Sequence, residues 1–209
     1  MELTNKERVY HLSSSVVFRK TTERWGGLSN MAKGYPICIN GISIQSSEIL
    51  YQAMRFTGRK DIQREIVNQS NPMYAKRISR KYTDYTRSEW DRERIAIMKW
   101  CICVKLCLNW DKFSTLLIST GDNPIVEYSD KDQFWGAKSI GNHSFRGVNA
   151  LGRILMQVRD VCKTENAVNK FLVIPPPKID DFLFLGEQVQ PVLMPQQQVS
   201  TGSSQLSLM

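Results

Sequence analysis

One stretch constrains this chain more than any other. From Ser88 to Trp110 there is neither Gly nor Pro, and Ile97, Cys101, Val104 and Leu108 recur at three- to four-residue spacing. That period predicts a single long helix with a buried stripe. Ser88, with Asp91 three residues on, supplies a capping signal at its start. A helix of this kind needs a core to cover it, and 209 residues at 42% apolar content are enough for one. No stretch reaches the roughly 18 to 20 apolar residues of a membrane span. The opening MELTNKERVYHL has no apolar run before a cleavage site, so a soluble cytoplasmic protein without membrane contact is expected.

The remaining signals surround that helix with short elements. Residues 16–19 (VVFR) read as a strand, and the Gly-containing segment that follows reads as a loop able to bind a ligand. Tyr35 to Ile39 and Ile42 to Ile44 flank Asn40-Gly41, the pair that best tolerates a type I′ turn, so a β-hairpin is expected. Ser46 or Ser47 can cap a helix to about Phe56, with Glu48 in its first turn. Further helices are predicted from Asp61 to Gln69, from Pro72 to Arg80 behind Asn71, from Asp111 to before Gly121, and from Gly147 to about Cys162. Residues 124–129 read as strand and 130–146 as loop. The fold class is therefore α+β, mostly helical, with a short β-hairpin or sheet. Residues 1–15 form an N-terminal extension and 16–174 the single compact domain. Residues 175–209 hold five of the eight prolines and many Gln and Ser, the composition of a disordered, flexible tail. Within it, 182–185 form an apolar patch able to dock on the body or on a partner.

Charge is distributed unevenly. Twenty-eight Lys and Arg against 20 Asp and Glu give +8 overall, but residues 175–209 are mildly acidic, so the basic excess sits in the body and suits an anionic partner. Only two histidines, His11 and His143, are present, neither beside a Cys- or carboxylate-rich motif, so no metal site is indicated. Five cysteines lack CxxC spacing and read as reduced core thiols.

Four constellations can carry chemistry. Glu48, Tyr51, Gln52 and Arg55 share one helical face, which either lines a cleft or is a solvated face with a Glu favouring the dipole. Asp132, Trp135 and Gly136 lie in a polar loop, where Trp either stacks on a ligand or plugs the body from outside. Gly26, Gly27, Ser29 and Asn30 form a turn that lets backbone approach a ligand, although the GK[ST] ending of a P-loop is missing. In the run with Asn149, Leu151, Gly152 and Arg153 a glycine sits inside an otherwise helical pattern, which signals close packing or ligand approach. Basic clusters at Lys76, Arg77, Arg80 and Lys81, and at Arg92, Arg94 and Lys99, steer phosphates or are solvated faces. Lys105, among Val104, Leu106 and Cys107, is either a partly buried amine of lowered pKa or a snorkelling side chain.

In combination and in this order, FRKTTERWGGLSNMA, YPICINGISIQSSEILYQAMRF, NPMYAKRISR, SEWDRERIAIMKWCICVKL, IVEYSDKDQFWGAK and GVNALGRILMQVR resemble the NADAR family, the YbiA-like N-glycosidases, from Phe18 to about Arg159. The GGLSNMA, IMKWCICVKL and FWGAK forms look closest to the branch acting as antitoxin to DarT-type DNA ADP-ribosyltransferase toxins. The resemblance implies hydrolysis of the N-glycosidic bond between ADP-ribose and the guanine amine in DNA, by a monomer without a cofactor. The alternatives are cleavage of ribosyl-amino-pyrimidine intermediates of riboflavin synthesis, or a non-catalytic DNA- or toxin-binding module. By position it implies Glu48 as the carboxylate that stabilises the oxocarbenium-like centre and activates water. It implies Asp132 as orienting ribose or water, Trp135 as packing on ribose or base, and Trp90, Asn149, Asn30 and Lys105 at recurrent family positions. Arg19, Lys76 and Lys105 are candidates for the diphosphate, with a Schiff base on Lys105 as a less favoured variant. Gly27, Ser29, Gln52 and Gly136 complete the expected binding set. The partners implied are ADP-ribosylated DNA, ADP-ribose and a cognate DarT-type toxin.

Overall fold

A computed structural model describes residues 6–196. The long helix is its axis: α4 spans Trp90–Leu108 and buries Ile97, Met98, Trp100, Cys101, Ile102, Val104, Lys105, Leu106 and Cys107. Burial on nearly every side, rather than along one stripe, is what an all-round apolar helix demands. It starts two residues later than the capping signal suggested, with Glu89 at the N-cap and no side-chain cap.

The helices packed on it follow their local signals closely. In α1 (Ser47–Ala53) the Ser46 hydroxyl accepts from the Ile49 amide, and the chain then tightens into a 3-10 turn at Met54–Phe56. Helix α2 spans Lys60–Val67, and α3, Pro72–Lys81, has Asn71 accepting from the Met73 amide with Pro72 in the first turn. Helix α5 (Trp110–Ile118) starts at Trp110 behind Asn109, not behind an Asp111 cap. Helix α6 covers Ala150–Cys162, and α7 covers Ala167–Phe171. All five cysteines are free thiols.

The strands form small ladders. The expected hairpin forms: Ile37–Ile39 pairs antiparallel with Ile42–Ile44, and Asn40 and Gly41 both take positive φ (48° and 78°), as a type I′ turn requires. In chain order these are β3 and β4, because Arg8–His11 forms β1 and Val16–Phe18 forms β2. Strand β2 runs parallel to β5 (Ile125–Glu127), with Phe18 opposite Glu127.

Three expectations need correction. Residues 8–11 of the N-terminal extension belong to the body: β1 pairs antiparallel with β7 (Ser144–Gly147), which also pairs with β6 (Lys138–Gly141) in the order β1-β7-β6. The supposed loop 130–146 therefore contains a hairpin, turned at Asn142 and His143 with φ of 48° and 53°. Its edge strand comes from more than 130 residues upstream, a pairing that no local pattern reveals. Helix α6 begins three residues after Gly147, because Gly147 ends β7 and Asn149 turns the chain in the left-handed region.

The segment from 175 onward, expected as a flexible tail, is ordered as far as residue 196. Residues 175–196 are stitched to the body; the rest of that segment, 197–209, lies outside the described residues. Phe182 meets Trp100 edge to face at 5.1 Å, and Phe182, Phe184, Val189, Val192 and Met194 are buried in the main core. Gln63 donates to the Leu183 carbonyl and accepts from the Leu185 amide, while β9 (Val192–Leu193) pairs with β8 (Val173–Ile174). The apolar patch at 182–185 thus docks on the body. Burial of these five apolar side chains on a ready-made apolar surface, with the hydrogen bonds above, offsets the entropy of ordering the strap, which its prolines already reduce.

Candidate active site

The site is assembled where α1 begins. The loop carrying Gly26, Gly27, Ser29 and Asn30 lies across that helix end: the Glu48 amide donates to the Asn30 carbonyl (3.0 Å), and the Ser47 hydroxyl donates to the Asn30 side-chain oxygen (3.2 Å). Lys105 anchors the loop from beneath. Its ammonium, 1% exposed, donates to the carbonyls of Gly27 (2.6 Å) and Ser29 (3.1 Å) and lies over the rings of Tyr35 and Phe113. Burial pushes its pKa well below the usual lysine value.

A second arm comes from β5 and the loop after it. Glu127 ends β5, and its backbone amide donates to the Asn149 side-chain oxygen (3.1 Å), while the Asn149 amide group donates to the Ile125 carbonyl (2.8 Å). Asn149 takes φ 53° and is fully buried, a conformation Asn tolerates better than most residues. Asp132 Oδ1 accepts from the amides of Phe134 (3.0 Å) and Trp135 (2.9 Å), so this carboxylate builds the turn that presents Trp135.

The two arms enclose a cavity of about 330 Å³. Glu48, Tyr51, Gln52 and Arg55 all face it from α1, so the polar face lines a cleft. Glu48 is buried; Gln52 donates to its Oε1 (2.8 Å), and the Lys76 ammonium of α3 lies 3.9 Å from the same atom. Glu127 looks into the same space. Burial, followed by the charge of Glu48, pushes its carboxyl up to about 7, with Lys76 opposing the rise and Asp132 adding to it. An aromatic wall completes the enclosure: Tyr51 packs on Trp90 (5.0 Å) and edge-on to Trp135 (5.6 Å), which meets Phe134 at 5.0 Å. The guanidinium of Arg55 lies over Trp90, and that of Arg94 lies over Phe134. Two carboxyls in unlike surroundings, cations beside them and flat apolar walls suit acid–base chemistry on a ring-bearing, phosphate-bearing ligand.

Of the residues singled out in the sequence, Ser29, Asn30, Glu48, Gln52, Lys76, Trp90, Asp132 and Trp135 line the cavity. Others do not. Lys105 holds the loop from below, so neither a diphosphate contact nor a nucleophilic role is supported by its place. Gly27 and Gly136 are packing glycines: a Cβ at the first would strike the Tyr35 hydroxyl and Leu116, and one at the second the Glu127 carbonyl. Asn149 acts through the Glu127 backbone. Arg19 pairs with Asp130 (2.6 Å) in an adjoining groove. Glu127 and Arg94 also line the cavity, and the sequence does not single them out for it. The signal for Glu127 is a lone carboxylate ending an apolar strand; Arg94 stands out only as part of a basic cluster. Among the described residues no group of three or more His, Cys, Asp or Glu is arranged to hold a metal, and no helix is long and apolar enough to cross a membrane.

Comparison with known proteins places this arrangement. The NADAR domain model matches residues 17–163, and the chain belongs to the NADAR family. It is 30% identical to the N-glycosidase YbiA of Escherichia coli, over 74% of this chain and 93% of that protein. It is 33% identical to the riboflavin biosynthesis protein VVA0006 of Vibrio vulnificus, over 71% of this chain but only 39% of that longer protein. The solution NMR structure of Escherichia coli YbiA superimposes with a TM-score of 0.61 at 27% identity, covering 81% of this chain and 95% of that one.

Proposed function

We propose that this protein is an N-glycosidase that hydrolyses the bond between ADP-ribose and the exocyclic amine of guanine in DNA, reversing the action of a DarT-type toxin. The observation that carries the chemistry is the pair of unlike carboxyls in one cavity, Glu48 hydrogen-bonded by Gln52 with the Lys76 ammonium nearby, and Glu127 raised to about 7. Departure of the amine leaves an oxocarbenium-like centre at the ribose C1″. Glu48 stabilises that centre and takes a proton from the attacking water, whose oxygen bonds to C1″. Glu127, about half protonated at neutrality, gives its proton to the leaving nitrogen, and solvent exchange then restores both groups. Asp132 offers Oδ2 to ribose hydroxyls while Oδ1 holds the turn, and Trp135 packs on the ribose or base. Lys76, Arg55 and Arg94 supply positive charge for a diphosphate.

The family relatives named for riboflavin biosynthesis favour a second reading, in which the same carboxyls cleave ribosyl-amino-pyrimidine intermediates. One experiment separates them. The protein is incubated in catalytic amounts with an oligonucleotide ADP-ribosylated on guanine and with those intermediates, and products are followed by mass. Multiple turnovers releasing ADP-ribose and unmodified guanine support the proposal. Turnover of the pyrimidines alone supports the second reading, and clearance only at stoichiometric protein shows a sequestering module.

A further inference from the structure

Beside the cavity the surface opens into a second, wider groove of about 630 Å³, and the two share Met31, Lys76, Ser129 and Asp132. Its far side is made by Tyr74, Arg77 and Arg80 of α3, Lys131 of the late loop, and Arg19 at the end of β2. Five cations line it against the carboxylates of Asp130 and Asp132. Asp130 is already engaged by Arg19, at 2.6 Å, and accepts from the Tyr128 hydroxyl. Tyr74 is 49% exposed, with the Arg77 guanidinium 4.7 Å from its ring centre. A large aromatic left half in water, with a guanidinium beside it and an excess of positive charge around it, has the make-up of a stacking platform on a phosphate track. Apart from the shared Lys76 and Asp132, no residue of this groove takes part in the hydrolytic steps above, although the groove runs directly into the cavity that would perform them.

We infer that the groove carries a single nucleic-acid strand, with Tyr74 stacking on a base neighbouring the modified one and Arg77, Arg80 and Lys131 meeting its phosphates. A paired base inside a duplex shows no open face to a side chain, so stacking on Tyr74 selects an unpaired or extruded segment. This inference rests on the nucleic-acid reading of the site and names the surface that distinguishes such a substrate from a small ribosyl-pyrimidine. The nearness of the groove to the cavity ties strand binding to turnover: the strand lowers the KM of a polymeric substrate and leaves a mononucleoside unaffected.

The test uses the full chain and a short, unmodified, fluorescein-labelled single-stranded DNA, read by anisotropy across a salt series. The wild type should bind it, and more tightly than the matching duplex. Tyr74→Ala should weaken binding about tenfold while Tyr74→Phe retains it. The double variant Arg77→Gln, Arg80→Gln should flatten the plot of log affinity against log salt by about 1.4, two phosphates' worth for a single strand. Loss of binding in the wild type at low salt, preference for the duplex, or unchanged affinity in both sets of variants overturns the groove. Turnover is measured separately on modified oligonucleotide and on ADP-ribosylated guanosine. Binding with the expected sensitivities but no release of ADP-ribose sinks the hydrolytic reading and leaves the groove standing. Release that is equal in wild type and variants, on oligonucleotide as on nucleoside, sinks the groove and leaves the hydrolytic reading.

Discussion

Asn149 clasps Glu127 by its backbone. One side chain accepts from the Glu127 amide and donates to the Ile125 carbonyl, joining the end of β5 to the start of α6. Asn149→Ala removes both bonds and places a Cβ-bearing residue without Asn's tolerance at φ 53°. A loss of about 2 to 3 kcal/mol in urea unfolding is expected. Asn149→Gly relieves the backbone and should recover part of that stability. In both variants the upper limb of the pH–rate profile should move, because Glu127 is no longer held against its neighbours; a profile identical to wild type would refute the positioning role.

Glu48→Gln keeps a side chain of the same size within reach of Gln52 and Lys76 but removes the charge. Melting temperature should stay close to wild type, while release of ADP-ribose falls by a factor of about 100 to 10,000. Circular dichroism and a single-turnover assay followed by mass check both halves, and full turnover would remove Glu48 from the mechanism.

The proton on Glu127 is bound more tightly in the folded protein, where the carboxyl titrates at about 7, than in the unfolded chain, where Glu titrates near about 4.3. Stability from this group is therefore complete below about pH 4 and is lost as pH rises through about 7. Glu127→Gln abolishes that loss, so its melting temperature relative to wild type should rise between about pH 5 and about pH 8. Each tenfold difference in proton affinity is worth about 1.4 kcal/mol, which makes the change measurable by calorimetry. As a proton donor Glu127 should also give the wild type a kcat/KM that declines above about pH 7, a limb absent from the slower variant.

Lys105→Met leaves the carbonyls of Gly27 and Ser29 without their donor but replaces a buried amine by an apolar chain of similar length. Unmatched carbonyls cost about 1 to 3 kcal/mol, partly offset because a neutral side chain has no desolvation cost. The expected signature is faster amide exchange confined to the loop through Asn30, together with a raised KM. Exchange unchanged in that loop would contradict the clamp.

Phe182→Ala should cost about 3 to 5 kcal/mol, as for a large aromatic lost from a core, and should shift Trp100 fluorescence, since the two rings meet at 5.1 Å. A variant with unaltered stability would show that the strap contributes nothing to the core it covers.

What the chain determined by itself is its local grammar. Asn40-Gly41 dictates a turn with two positive φ angles, Asn71-Pro72 starts a helix, and the apolar run through Val104 makes an axis, because each depends on sterics and hydrogen bonds within a few residues. The face carrying Glu48, Tyr51, Gln52 and Arg55 was legible from helical period alone. The tertiary structure decided everything that turns on distant partners. Strand β1 exists because β7 offers it an edge, and residues 175–196 are ordered because Trp100 and Gln63 receive them. Lys105 became a clamp because two loop carbonyls came within reach of its ammonium. Glu127 shows the limit most sharply: a carboxylate ending an apolar strand has an ordinary affinity for its proton until burial and the charge of Glu48, 79 positions away in the chain, make ionisation costly.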